Sequence, residues 1–294
     1  PIYMPAARQD LAAIGNGLQL PQARCVIFCT EDAILDRDLP QAMEQLKISL
    51  PMLEGTGEAA GGTDPVPFRC IRPRSPEILR RLLDLDGTGS INGFVLPKVN
   101  SSNLRQWLKV VESRPEFSLM LSLETADVFE PDCMQRLRDE ILSSNVRERV
   151  ICLRVGALDL LNLLALRRSC RKSIYDTPVG QCIKRLITIF VPSGLALSAP
   201  AYECLHDHAM LRRELELDVL NGLFCKTALH PGQLAVIHDA YRVSPEDADM
   251  AAALLDPEQP AVFSMHGRMC EKATHLDWAR QILIRADIYG TTDT

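Results

Sequence analysis

Two carboxylates stand where apolar runs of strand type give out. Residues 117–123 (FSLMLSL) form a continuous apolar run, the pattern of a strand covered on both faces in a parallel sheet, and the run ends in Glu124. A second run, 150–155 (VICLRV), stops at Gly156 and leads to another acid, Asp159. Where parallel strands close into a barrel, their carboxyl ends form the active face, so acids delivered there read as catalytic or metal-binding. A hard divalent cation such as Mg²⁺ takes one or two carboxylates and leaves its other positions to water and substrate. The plainer alternative is that Glu124 caps the helix that follows and Asp159 is a solvated loop acid. Other strand ends offer cations. FRCIRPR (68–74) carries Arg69, Arg72 and Arg74 toward a turn, and Lys98 follows Pro97 at the end of INGFVLPK. Lys98 reads as an ion-pair partner for a strand-end acid rather than a Schiff-base lysine, because a metal-assisted route needs no imine. His230, ahead of Pro231, reads as a cap on the last strand.

The elements that position these groups alternate strand and helix. An extended opening at 3–10 precedes the first firm strand, 24–29 (RCVIFC), which ends in Thr30, Glu31 and Asp32. Helices are expected at 41–50, 75–85, 102–111 and 132–143, with strands at 68–74, 91–98, 117–123 and 150–155 between them. A leucine-rich helix follows Asp159, with Asn162 inside it as a satisfied core amide. Residues 186–191 with 194–200 read as a strand, 205–220 as a helix closed by Gly222, and 223–229 as the last strand. Residues 55–64 are rich in glycine and lack periodicity, so a loop is expected there. From Ser244 the pattern becomes helical only, and 263–272 reads as an aperiodic connector. This order predicts a (β/α)₈ TIM barrel over residues 1–243, with a C-terminal helical extension at 244–294.

Composition narrows the class. A chain of 294 residues suits one αβ barrel with an appendage, and a net charge of -6 argues against a dedicated nucleic-acid binder. The ten cysteines are scattered without a CxxC pair and read as reduced core residues of a cytoplasmic protein. No apolar run reaches the roughly 18 residues of a membrane span, and no signal-peptide pattern opens the chain.

The pieces YMPAARQDL, FCTEDAI, IRPR, VLPK, LETA, GALDLL, ALHPGQ and GRMCEKA, in this order and at strand ends, resemble the HpcH/HpaI aldolase and citrate lyase beta-subunit superfamily over nearly the whole chain. The resemblance implies a Mg²⁺-dependent carbon-carbon lyase on a (β/α)₈ barrel. It matches Glu124 and Asp159 to the metal ligands, and Arg72 to the arginine that holds the substrate carboxylate, with Arg69 as the alternative register. It matches Glu31 and Asp32 to the acidic pair closing the first strand and Arg8 to the opening arginine of the substrate site. Glu271 takes the place of an aspartate thought to enter the active site from a neighbouring subunit. A homotrimer or higher homo-oligomer is implied, joined through the C-terminal extension. Departures from the family pattern are Cys29 in place of an aspartate, Leu163 and Ala165 in place of an acid and a glycine, Ala6 in place of lysine or asparagine, and extra residues between Glu124 and Asp159.

The chemistry implied is retro-Claisen or retro-aldol cleavage, with Arg72 as a bidentate carboxylate contact and Glu31, Asp32 or Glu271 as the proton-transfer group. The expected substrate is a 3-hydroxy acyl thioester of coenzyme A, with Arg8 and Arg74 as a rim for its phosphates. A short 4-hydroxy-2-keto acid is the second choice. A barrel that has lost turnover and serves as a binding or assembly subunit is the reading from a different class.

Overall fold

The computed structural model describes residues 1–55 and 66–293, so the expected glycine-rich loop lies outside the described residues apart from Gly55. The chain divides into two compact units, Pro1–Leu234 and Ala235–Thr294.

The first unit holds a parallel sheet of seven strands in chain order: β1 (Ile2–Pro5), β2 (Cys25–Cys29), β3 (Phe68–Arg72), β4 (Gly93–Leu96), β5 (Ser118–Leu123), β6 (Val150–Val155) and β7 (Leu197–Ser198). The strands form because their apolar runs are buried on both faces. All four residues of β4 are buried, as are the last five of β5. Side chains on one face, among them Ile27, Cys70, Val95 and Met120, pack together. The extended opening is itself a strand, paired with β2 from Ile2↔Val26 to Pro5↔Cys29.

The expected strand at 186–191 is instead the end of helix Pro178–Phe190. Its buried positions Val179, Cys182, Ile183, Leu186 and Phe190 recur at helical spacing, and that packing overrides the β-branched appearance of LITIFV. Only Leu197–Ser198 of this region is strand. Residues 223–229 make isolated parallel bridges, Ala199↔Lys226 on one side and Ile2↔Ala228 on the other.

The leucine-rich helix is short, Ala157–Leu163. It ends because Ala165 takes φ +54°, with Leu166 N–H donating to Leu161 O and Ala165 N–H to Asn162 O, the double bond of a Schellman stop. Leu163, Leu166 and Asn162 are therefore exposed, and the expected core amide at Asn162 is corrected. Cys170 and Cys204 form a disulfide, which corrects the reading of all ten cysteines as reduced. Their 34-residue separation carries no local spacing signal, and the fold brings the two Cα atoms to 5.8 Å. The other eight cysteines are free. Nearby lies a buried charge network. Glu214 accepts from Arg168 and from Lys226 at 3.0 Å, Asp218 accepts from Lys226 at 2.9 Å, and the Tyr175 hydroxyl donates to Asp218 at 2.7 Å.

The second unit is helical only in part. Helix Pro245–Leu255, capped by the Ser244 hydroxyl, and helix Lys272–Tyr289 enclose a core of Val243, Met250, Ala251, Leu254, Cys270, Ala279 and Ile282. The expected connector at 263–272 is a hairpin of β8 (Val262–Met265) and β9 (Arg268–Glu271). Its two-residue turn places His266 at φ 50° and Gly267 at φ 72°, the signs of a type I′ turn. The strands escape a periodicity reading because nearly every side chain on them is exposed or half-buried, so no apolar alternation marks them. Among the described residues, no helix is long and apolar enough to cross a membrane.

Candidate active site

The carboxyl ends of the parallel strands surround a cavity of about 210 Å³. Tyr3, Cys29, Asp32, Arg72, Ser122, Glu124, Arg154, Asp159 and Thr227 line it, with β2, β5 and β6 and the turns after them each supplying two and the others one apiece.

The two arginines of β3 part company because strand side chains alternate. Three positions apart, they face opposite sides of the sheet. Arg69 is fully buried on the helix side and donates to the carbonyls of Gly15, Glu54, Gly55 and Ser90 at 2.7–3.0 Å. Arg72 faces the cavity. Its Nη2 reaches Glu31 at 2.7 Å, Asp32 at 3.0 Å and Glu124 at 2.9 Å. Burial works against its charge, but Glu124, Tyr3 and Glu31 hold its pKa above the ordinary value. Its Nε is buried without a hydrogen-bond partner among the described residues.

Glu124 is 4% exposed at the end of β5. Its Oε1 accepts from Arg72 and from the backbone N–H of Lys98 at 2.9 Å. Lys98 aims that N–H from φ 51°, a left-handed backbone that a residue with a side chain adopts only under local constraint. The Lys98 ammonium bridges Glu31 and Asp32, the latter at 3.0 Å, so it pairs with strand-end acids as expected. Asp159 sits not on the strand but in the first turn of the helix after it. Burial pushes the carboxyls of both Glu124 and Asp159 up. Asp159 adds repulsion at Glu124, and Asp32 adds it at Asp159. Gly156 admits this arrangement, since a Cβ there would lie 2.4 Å from the Glu124 Oε2.

Glu31 and Asp32 titrate as an asymmetric pair. Burial and the contact with Asp32 push Glu31 up, while Asp32, despite burial, is held down by Glu31, Arg72 and Lys98. Cys29 is buried on the cavity wall, where its Sγ accepts the Glu31 N–H at 3.4 Å.

Other expected groups lie elsewhere. Arg8 is bound by both oxygens of Asp10 on the surface and does not line the cavity. Arg74 is occupied with the carbonyls of Thr30, Glu31 and Ile34, where it ties the β2 loop to β3. Glu271 belongs to the second unit, where it closes β9 and accepts from the Thr274 hydroxyl at 3.0 Å. His230 caps the turn after 223–229, its Nδ1 accepting the Gly232 N–H.

Two polar groups of the cavity escape a reading of the residues. Arg154 and Tyr3 sit inside segments that look merely extended, and the available signal was a lone charge within an otherwise apolar strand run, VICLRV. The two guanidiniums share one ring, Arg72 at 5.7 Å and Arg154 at 5.3 Å from the centre of Tyr3.

Residues 1–291 match the model of the family described as C-C bond lyase of the TIM-barrel fold. The chain belongs to this family of carbon-carbon bond lyases. It is 23% identical to a (3S)-malyl-CoA thioesterase of Cereibacter sphaeroides, over 97% of this chain and 93% of that one. Among solved structures it resembles CitE of Mycobacterium tuberculosis in complex with magnesium, acetoacetate and coenzyme A. That match has a TM-score of 0.69 and 19% identity, and covers 97% of this chain and 96% of the other. A malate synthase of Haloferax volcanii, solved as a lead(II) complex, matches with a TM-score of 0.65 and 16% identity over 97% and 87% of the two chains.

Proposed function

We propose that the cavity is the site of a Mg²⁺-dependent lyase that cleaves a 3-hydroxy acyl thioester of coenzyme A. The observation that carries this reading is the convergence of Arg72, Glu124 and Asp159 on one small cavity at the carboxyl ends of the strands. The malyl-CoA name of the relative and the coenzyme A and magnesium bound to CitE support the thioester and the metal. Residues 223–229, bridged to β7 on one side and β1 on the other, take the eighth strand position of a (β/α)₈ barrel in this reading.

The residues suit the metal. Glu124 and Asp159 line the same cavity with carboxyls raised chiefly by burial and further by neighbouring carboxylates, Asp159 at Glu124 and Asp32 at Asp159, a cost that a divalent cation would relieve. Glu124 and Asp159 would hold Mg²⁺, which supplies Lewis-acid polarisation of the substrate oxygens when bound.

The protein groups divide the remaining work. Arg72 orients the substrate carboxylate, with its unpartnered Nε as the donor in reserve. Asp32 opens into the cavity, and its carboxylate is the group placed to take the proton of the 3-hydroxyl. The carbon-carbon bond then breaks to a carbonyl and an enolate, and the proton held by Asp32 returns, directly or through water, to the enolate carbon. Glu31 and Lys98 position Arg72 and Asp32. Glu271 is carried as a group from a neighbouring subunit, in a homotrimer or higher oligomer, as the family resemblance implies.

Incubation with Mg²⁺ and a panel of malyl-, citramalyl- and citryl-CoA, with product analysis by mass spectrometry, tests the function. Carbonyl product and an acyl-CoA are expected, and both should vanish in Asp159→Asn. Release of free coenzyme A with an intact acid skeleton would instead make the protein a thioester hydrolase. Cleavage restored by mixing Glu124→Gln with Glu271→Gln would establish the shared site, and mixtures no more active than either parent would remove Glu271 from it.

A further inference from the structure

One arginine of the cavity lacks the counter-charge that the other has in excess. Arg154 of β6 pairs in register with Ser122 of β5, so its side chain shares the inward face with Glu124, about 6.6 Å nearer the floor by the rise of two strand residues. It is 6% exposed and lines the cavity. Its Nη2 donates to Thr227 Oγ1, and its Nη1 lies 4.0 Å from the Met120 sulfur. Among the described residues no carboxylate forms an ion pair with it, and the titratable groups that bear most on its charge are the Tyr3 phenol and the thiols of Cys225, Cys152 and Cys25. Arg72, on the same Tyr3 ring, has three carboxylates.

A guanidinium removed from water is costly unless an anion compensates it. Here the acids crowd the rim with Arg72 while the floor presents a cation with only a hydroxyl, a thioether and an aromatic face. We propose that Arg154 receives a second anionic group of the substrate, a carboxylate at the end remote from Arg72. The carbonyl half of the thioester is then one that keeps two free carboxylates, as in a citryl rather than a malyl group, and the same preference holds for the free acid that resembles that half. This rests on the lyase-site reading only for the end of the substrate held by Arg72.

Binding separates the two ideas without turnover. Malate and 2-hydroxybutyrate have the same four-carbon chain and differ by a carboxylate against a methyl group. Titration calorimetry in Mg²⁺ should show malate binding the unaltered protein about tenfold or more tightly than 2-hydroxybutyrate, the worth of one charged hydrogen-bonded contact. Arg154→Met should bring the ratio near one while leaving 2-hydroxybutyrate affinity within about twofold, a shift below the worth of a neutral hydrogen bond. Arg154→Gln, which keeps a donor for Thr227, reads the same ratio should the methionine variant fail to fold. Equal affinities in the unaltered protein, no binding of either acid, or a ratio that survives both substitutions overturns the proposal. Arg72→Met reports on the other reading. If both acids still bind it undiminished, the lyase-site assignment falls, and the Arg154 ratio still decides the floor.

Discussion

Arg72 and Glu124 meet at 2.9 Å, Nη2 to Oε1, with both side chains nearly out of water. A lysine at 72 would keep a charge near the three carboxylates that meet at Nη2 but lose the rest of the planar guanidinium, including the Nε left for a ligand. Arg72→Lys should lower kcat/KM about a hundredfold, the scale seen when one fixed donor to developing charge is removed. Arg69→Lys should leave kcat/KM nearly unchanged and lower stability by about 2 kcal/mol, because it strands buried carbonyls on the other face of the sheet. Steady-state kinetics and thermal unfolding on both variants check the contrast.

Gly156 leaves room for the Glu124 carboxylate. A methyl group at this position would lie 2.4 Å from both Cβ and Oε2 of Glu124, so the carboxylate must move. Gly156→Ala should weaken Mg²⁺ binding about tenfold or more, since small misplacements at a site are costly. Gly89→Ala, where an added Cβ meets nothing within 4 Å, is the control and should titrate like the unaltered protein.

Glu214 carries two buried cations. Burial alone would raise its carboxyl, but Lys226 and Arg168 hold it below the ordinary 4.5. A lowered folded pKa means that its stabilisation is complete above pH 4.5 and is lost as pH falls through the lower folded value. Glu214→Gln should cost about 3–5 kcal/mol at neutral pH, because it leaves Arg168 and Lys226 without that charge. Urea unfolding across pH should also show a flatter acid limb in the variant.

Ala165 occupies the left-handed position of a Schellman stop that glycine fills at least cost. Ala165→Gly should raise stability by about 1 kcal/mol, measured by urea unfolding. An unchanged midpoint would show that the neighbouring exposed leucines, not the backbone, set the local stability.

The strands β2 and β5 were legible because burial on both faces leaves long apolar runs, β6 because its single charge does not break the pattern, and Glu124 could be placed because its run ends there. The choice between Arg69 and Arg72 followed from register, which the strand period alone fixes once the inward face is known. Arg154 was not legible, because one charge in VICLRV does not break a strand pattern and its surroundings come from β1, β5 and the 223–229 segment. The helix ending at Phe190 was hidden by its β-branched residues, and the β8–β9 hairpin by its exposure. The Cys170–Cys204 pair depends on two loops that only the tertiary fold joins.

The bridge Ile2↔Ala228 joins the two ends of the first unit's sequence, whereas every other neighbour in the sheet is consecutive along the chain. Loop-closure entropy grows with the length enclosed, so this contact carries the largest ordering cost in the unit. Tyr3 comes from one side of that seam and Thr227 from the other, and Arg154 touches both. The cavity floor should therefore be among the last parts of the first unit to assemble and among the first to be lost when the seam frays. A chain with all its helices and most of its sheet can still lack the place where an acid would bind.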